Sequence, residues 1–235
     1  LEAYRSSLSE EQLDAMVEKT KALEAYQEAG EDPKALECIP MLKRSDIKRE
    51  AAKIINEELT VDDSLFLYHD VCTNGIGYVD LMFKTDSIAP EQIPYLGLLK
   101  SVLGYVDTEN YTYGELFNEI NANTGGINCG VEVFDRADST EEFQAMFSVR
   151  GKALYTKMDF LFKMIGEILN SSKLEDTKRL YEIVASVKSR AQVNLTGAGH
   201  STAVLRAAAY SSPMAAFQDE MAGIGYYQFI EKLEK

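Results

Sequence analysis

The hydrophobic period of the chain changes near Leu65, and that change limits the fold more than any other feature. Before it, Leu13, Met16 and Leu23, flanked by Val17 and Tyr26, recur at helical spacing on one thin stripe. After it, residues 65–72 and 75–83 are rich in β-branched and aromatic side chains, with Asn74-Gly75 between them. Asn-Gly between two such runs predicts a β-hairpin. Residues 90–105 and 113–122 then read as helices, and residues 127–134 and 143–151 as further strands. Leu154, Met158, Leu161, Ile165 and Ile168 lie on one face of a long helix, widened by Phe160, Phe162 and Met164. Leu180, Val184, Val187 and Ala191 mark a second long helix, and Ser212-Pro213 opens a last one through Met214, Phe217, Met221 and Ile224. Strands first and helices later favour an α+β fold over a doubly wound sheet. The expected architecture is an antiparallel sheet with packed helices, preceded by a helical hairpin. Residues 1–60 would form the helical hairpin and residues 61–235 the α+β body.

The start of the first helix is written in Ser9-Glu-Glu-Gln12, a capping box in which Ser9 and Gln12 satisfy each other's backbone N–H groups. Asp32-Pro33 restarts a short helix and Pro40 ends it. A thin apolar stripe on so charged a segment must pack on something else.

Charge and cysteine usage narrow the partners. The net charge of −14 opposes a nucleic-acid backbone, which demands clustered Lys and Arg. About half of the excess falls in residues 1–63. No apolar run approaches the roughly 20 residues that span a bilayer, so no membrane partner is expected. Cys38, Cys72 and Cys129 are odd in number and widely spaced, which favours a reduced, intracellular setting over a disulfide framework. That setting is the cytoplasm if the source is bacterial. A chain opening on Leu1 without methionine reads as a cut from a longer protein.

Motifs that carry chemistry are scarce. There is no phosphate-loop pattern, no Gly-x-Ser-x-Gly elbow, and neither order of the zinc-binding His/Glu helix motif. His69-Asp70-x-Cys72 sits in a run of strand period, where neighbours face opposite sides and cannot simply share one metal. His200 stands in Gly197-Ala-Gly-His-Ser201, read as a loop or helix start with no visible partner. Thr124-Gly125-Gly126 reads as a helix-ending turn, with an anion cradle as the sharper alternative. From the residues alone, no catalytic, cofactor-binding or metal-binding set is assigned.

The stretch His69-Asp-Val-Cys-Thr73-Asn74-Gly75-Ile76-Gly-Tyr78 resembles the hairpin opening the third repeat of presequence proteases, which are insulinase-family (pitrilysin-type) zinc metallopeptidases. Thr20-Lys-Ala-Leu23-x-x-x-Gln27 and Ile39-Pro40-Met-Leu42-x-x-x-Asp46-Ile47 are similar to the family's helical linker. Ile93-Pro94-Tyr95-Leu96-x-Leu98-Leu99, Thr108-x-x-Tyr111-x-Tyr113-x-Glu115-Leu116 and Thr124-Gly-Gly-Ile127 are similar to the body of the repeat. The matches run along almost the whole chain in order.

The resemblance implies two bowl-shaped halves joined by the linker, each with two α+β repeats. It places the catalytic His-x-x-Glu-His helix and its zinc in the first repeat. In the corresponding helix here, Tyr95, Leu98 and Leu99 stand where the ligands and the catalytic glutamate would be. The resemblance also assigns a transition-state-stabilising arginine and tyrosine to a fourth repeat beyond Lys235. The segment would then be non-catalytic and hold no zinc of its own. It would form part of the chamber wall and hinge of a peptidase degrading unfolded peptides, with the catalytic half and fourth repeat of the same chain as partners. A free-standing acidic peptide-binding or scaffold module is the alternative. A hydrolase built on His69 or His200 is a third reading.

Overall fold

The computed structural model describes residues 2–30, 32–51, 53, 55–139 and 141–235, apart from the side chains of residues 2, 3 and 33. Two compact units result, Leu1–Asp70 and Val71–Lys235. In the first, α1 (Glu2–Ser6) leads into α2 (Glu10–Glu28), and a single turn, α3 (Pro33–Leu36), follows. The capping box forms as expected: Gln12 N donates to Ser9 Oγ at 3.2 Å, and Ser9 N to Gln12 Oε1 at 2.9 Å. Glu10 and Glu11 add negative charge at the positive end of the α2 dipole. Asp32 Oδ1 accepts from Lys34 N at 3.0 Å and caps α3. No residue of α2 is buried. Met16, Leu23 and Tyr26 of the predicted stripe are exposed, and Leu13 is half-buried.

The same unit ends in a two-stranded hairpin, β1 (Glu57–Val61) with β2 (Ser64–Tyr68). Its turn is Asp62-Asp63, both left-handed with φ of 46° and 63°. Two such residues make the tight turn whose twist matches antiparallel strands, and aspartate tolerates that region.

This corrects the expected hairpin across Asn74-Gly75. The Asn74-Gly75 turn does form, with φ of 52° and 83° and Ile76 N donating to Thr73 O. However, it leads into β3 (Ile76–Lys84), which pairs with a strand some seventy residues later. Turn chemistry dictated the bend, and the choice of strand partner was made by tertiary packing.

In the second unit β3 is followed by a 3₁₀ turn at Pro90–Gln92 and α4 (Ile93–Val102), then α5 (Tyr113–Asn123), β4 (Ile127–Asp135) and β5 (Phe143–Leu154). A 3₁₀ turn at Tyr155–Lys157 opens α6 (Met158–Ser171). Then come α7 (Thr177–Gly197), α8 (Gly199–Ala208), α9 (Pro213–Ala222) and α10 (Ile224–Glu234). The sheet order is β3-β5-β4, antiparallel throughout, with β5 in the centre.

Register explains the core. Ala145, Phe147, Val149 and Ala153 of β5 share one face with Val79 and Leu81 of β3 and with Ile127, Cys129, Val131 and Val133 of β4. Leu161, Met164, Ile165 and Ile168 of α6 fill that face, together with Leu96, Leu116 and Phe217. A second cluster joins α4, α7 and α10 through Val102, Val106, Val184, Tyr226 and Ile230. The other sheet face is largely bare: Tyr78, Met82 and Phe134 are exposed.

One buried carboxylate ties α6 to the loop before α5. Glu167 accepts from Asn110 N at 3.2 Å and from Asn110 Nδ2 at 2.9 Å. Hydrogen bonds from Thr108 and Asn110 hold its carboxyl below the ordinary glutamate range. A carboxyl with a depressed folded pKa stabilises the fold above its unfolded value, near 4.5. That stabilisation is lost as pH falls from there through the lower folded value. Acid unfolding of Glu167→Gln, followed by circular dichroism, should therefore show a flatter dependence below about pH 4.5 than the parent chain. An unchanged acid limb would show that the Glu167 carboxylate is not among the groups driving it.

Candidate functional site

The sequence-singled residues do not converge. His69 lies just past the end of β2 and is exposed, and its Nδ1–H donates to Ile55 O at 2.7 Å. That bond fixes the tautomer, because a carbonyl only accepts. Asp70 is exposed. Cys72 is exposed too, with Asn74 Oδ1 at 3.7 Å from its sulfur. His200 is the second residue of α8 and exposed, so the expected loop narrows to Ala198 between α7 and α8. Among the described residues, no three His, Cys, Asp or Glu side chains group to hold a metal ion.

The Thr124-Gly125-Gly126 turn uses its own donors. Thr124 Oγ1 donates to Ile120 O at 2.7 Å and accepts from Gly126 N at 3.0 Å. Gly125 N donates to Lys152 O at 2.7 Å. Gly126 takes a φ of 107°, which glycine alone adopts easily. The turn joins α5 to β4, and all three of its N–H groups are occupied, Thr124 N donating to Ile120 O at 2.8 Å.

In α4, the side chains at the compared positions are engaged in packing. Leu98 packs on the Val102–Ile230 cluster and Leu99 on the main core. Tyr95 meets Phe229 edge-on, ring centres 4.7 Å apart. A β-carbon on Gly97 would lie 2.8 Å from Met221 O, so α4 and α9 approach at backbone distance there. Tyr95, Leu98 and Leu99 do not fit a zinc ion, since two aliphatic chains supply no donor.

Two surface features went unnoticed in the sequence. On the bare sheet face, Arg150 of β5 bridges Asp80 of β3 at 2.6 Å and Glu132 of β4 at 3.2 Å. The triad spans all three strands, and only the register reveals it. The second feature is a groove beside β4. A cleft of about 210 Å³ is lined by Lys100, Leu103, Phe117, Asn128 and Cys129. A cleft of about 430 Å³ continues it past Val131 and Val133 to Leu205, Phe217 and Met221. Lys100 lines both. Burial lowers its pKa, and burial pushes the Cys129 thiol up to about 11. A thiol so raised is protonated at neutral pH and a poor nucleophile. A sequence signal for Lys100 existed: it is the lone charged residue in Ile93–Val102.

Fold and site together define an α+β module with one covered and one open sheet face, and with a groove along a strand edge. The chain belongs to the peptidase M16C associated family, whose model matches residues 1–233. It is 35% identical over its full length to protein HypA of Clostridium perfringens, of which it covers 24%. It is 28% identical over its full length to presequence protease 1, chloroplastic/mitochondrial, of Arabidopsis thaliana, covering 22% of that protein. With the mitochondrial presequence protease of Yarrowia lipolytica the identity is 28% over 97% of the chain and 23% of the relative. The chain thus spans about a quarter of the length of these curated relatives. No helix of the described residues is long and apolar enough to cross a membrane.

Proposed function

We propose that this chain is a non-catalytic part of a zinc metallopeptidase that degrades unfolded peptides. The unit Val71–Lys235 would wall part of the substrate chamber, and the helical segment before residue 60 would act as the hinge linker. The partners would be the catalytic half and a fourth repeat of the same parent protein, and zinc would reside in the catalytic half.

The observation that carries this reading is α4 itself. It is the helix that the resemblance compares with the catalytic one, yet it presents Tyr95, Leu98 and Leu99, engaged in packing. The open sheet face, with exposed Tyr78, Met82 and Phe134 around the Asp80–Arg150–Glu132 triad, suits a wall that meets peptide without cutting it. Exposed Met16, Leu23 and Tyr26 on α2 suit a linker that docks on another part of the parent.

The test uses the chain alone. Dialysed against zinc and incubated with an unstructured cationic peptide, it should retain no stoichiometric metal and release no fragments by mass spectrometry. Stoichiometric zinc with chelator-sensitive cleavage would overturn the reading and return His69 and His200 to consideration as ligands.

A further inference from the structure

The last turns of α4 face three different surroundings. Leu99 packs on the main core and Leu98 on the Val102–Ile230 cluster. Lys100, the next residue, takes the face turned to β4: it lines one cleft with Ile127 and Cys129 and a second with Val131 and Val133. Among the described lysines only Lys100 and Lys188 are half-buried, and the others are exposed. The two differ in their partners. Lys188 pairs with Glu234, and that bond raises its pKa. Lys100 makes no ion pair among the described residues. Glu132, the carboxylate among the residues lining the two clefts, is held by Arg150 at 3.2 Å. The other titratable groups lining them are Tyr105 and Cys129. Burial without a counter-charge disfavours the ammonium, so Lys100 holds more free amine than an exposed lysine does at the same pH.

We propose that Lys100 is a carbonyl-capturing lysine, which forms an imine with short-chain aldehydes entering the cleft between α4 and β4. The neutral amine adds its lone pair to the carbonyl carbon. The carbonyl oxygen then leaves as water, carrying the two protons that the nitrogen gives up, and no oxidant or reductant takes part. An ammonium has no lone pair to offer, so imine chemistry selects a lysine that is desolvated and unpaired. Glu234 holds Lys188 as the ammonium and disarms it. Cys129, the other nucleophile lining the cleft, is a protonated thiol at neutral pH, because burial pushes it up to about 11. The space sets the class of carbonyl. The smaller cleft holds about 210 Å³, room for a chain of a few carbons beside Lys100. Its lining includes Tyr105, Asn121 and Asn128, polar residues that suit the hydroxylated adduct preceding loss of water. Capture of a carbonyl here draws on no step of peptide hydrolysis. Its failure would leave the peptidase assignment standing, and the failure of that assignment would leave Lys100 as it is.

The experiment incubates the chain with limiting propanal and cyanoborohydride near neutral pH, so that each imine is fixed as a propylamine, and maps the adducts by peptide mass spectrometry. Most of the first propyl group is expected on Lys100, while Lys188 lags behind the exposed lysines. Lys100→Arg should lose the fast-forming adduct and keep the far-UV dichroism of the parent chain. The map of the parent chain decides without the variant, and Lys188 supplies the half-buried control within the same molecule. Prior reductive treatment with oxidised dextran, whose aldehydes sit on a chain too bulky for the cleft, should consume exposed lysines and leave Lys100 open to propanal. A first adduct spread evenly over the exposed lysines would overturn the proposal. So would labelling of Lys188 as fast as Lys100, or loss of Lys100 to the dextran.

Discussion

Replacing Asp219 with alanine is expected to lower the stability of the unit Val71–Lys235 by about 1–3 kcal/mol, the cost of leaving a buried donor without its acceptor. Asp219 is 1% exposed, and its carboxylate gathers three donors. Arg206 Nη1 lies at 2.7 Å, Ile224 N at 3.0 Å and Gly225 N at 3.1 Å. The two backbone donors open α10, so Asp219, on α9, neutralises the positive end of the next helix and fixes the sharp bend between them. Alanine would leave the N–H of Gly225 buried without a partner, at about 1–3 kcal/mol for such a group. Arg206 is partly exposed and can turn to water, so most of the cost falls on the helix start. Asp219→Asn keeps an acceptor and should lose less. Urea unfolding followed by tryptophan-free probes such as far-UV dichroism measures both variants. A loss below about 1 kcal/mol for alanine would mean that water replaces the carboxylate in this bend.

How far the sequence spoke for itself depended on the range of the interaction. Ser9-Gln12 and Ser212-Pro213 announced their helices because a cap involves residues three apart. Strands β4 and β5 were legible from alternation, because the side that faces α6 is apolar at every second residue. Asn74-Gly75 fixed a turn yet misled about pairing, since β3 finds β5 across some seventy residues and nothing local records that choice. Asp62-Asp63, the turn that does close a hairpin, carries no glycine and gave no strong local signal. His200 was read as a loop or helix-start residue, and it opens α8 after a break of one residue, Ala198. The split of the last helix at Gly223 was missed because its cause, Asp219, lies four residues upstream and acts through a folded bend. For the candidate site, the apolar residues at Tyr95, Leu98 and Leu99 were visible as text. Lys100 and the Arg150 triad acquired meaning only from their neighbours in space.

The packing of α6 on the sheet gives the other large effect. Gly151 stands inside β5, where a side chain would normally strengthen the strand. A β-carbon there would lie 2.7 Å from Leu161 Cδ1, so the glycine exists to let α6 close on the sheet. Leu161 is fully buried in the core. Leu161→Ala is expected to cost about 2–5 kcal/mol through lost burial and the cavity left behind. Gly151→Val alone should cost about 1–3 kcal/mol or more, because the new side chain collides with Leu161. The double variant is the informative one. Valine at 151 adds about the three carbons that alanine at 161 removes, on the same line of contact, so core volume is nearly conserved. Valine also suits a strand better than glycine does. The double variant should therefore be more stable than the sum of the single losses implies by about 1–3 kcal/mol, a coupling expected only of residues in contact. Chemical denaturation of the four proteins closes the cycle. Additive losses would show that the 151 and 161 positions do not share the space between β5 and α6.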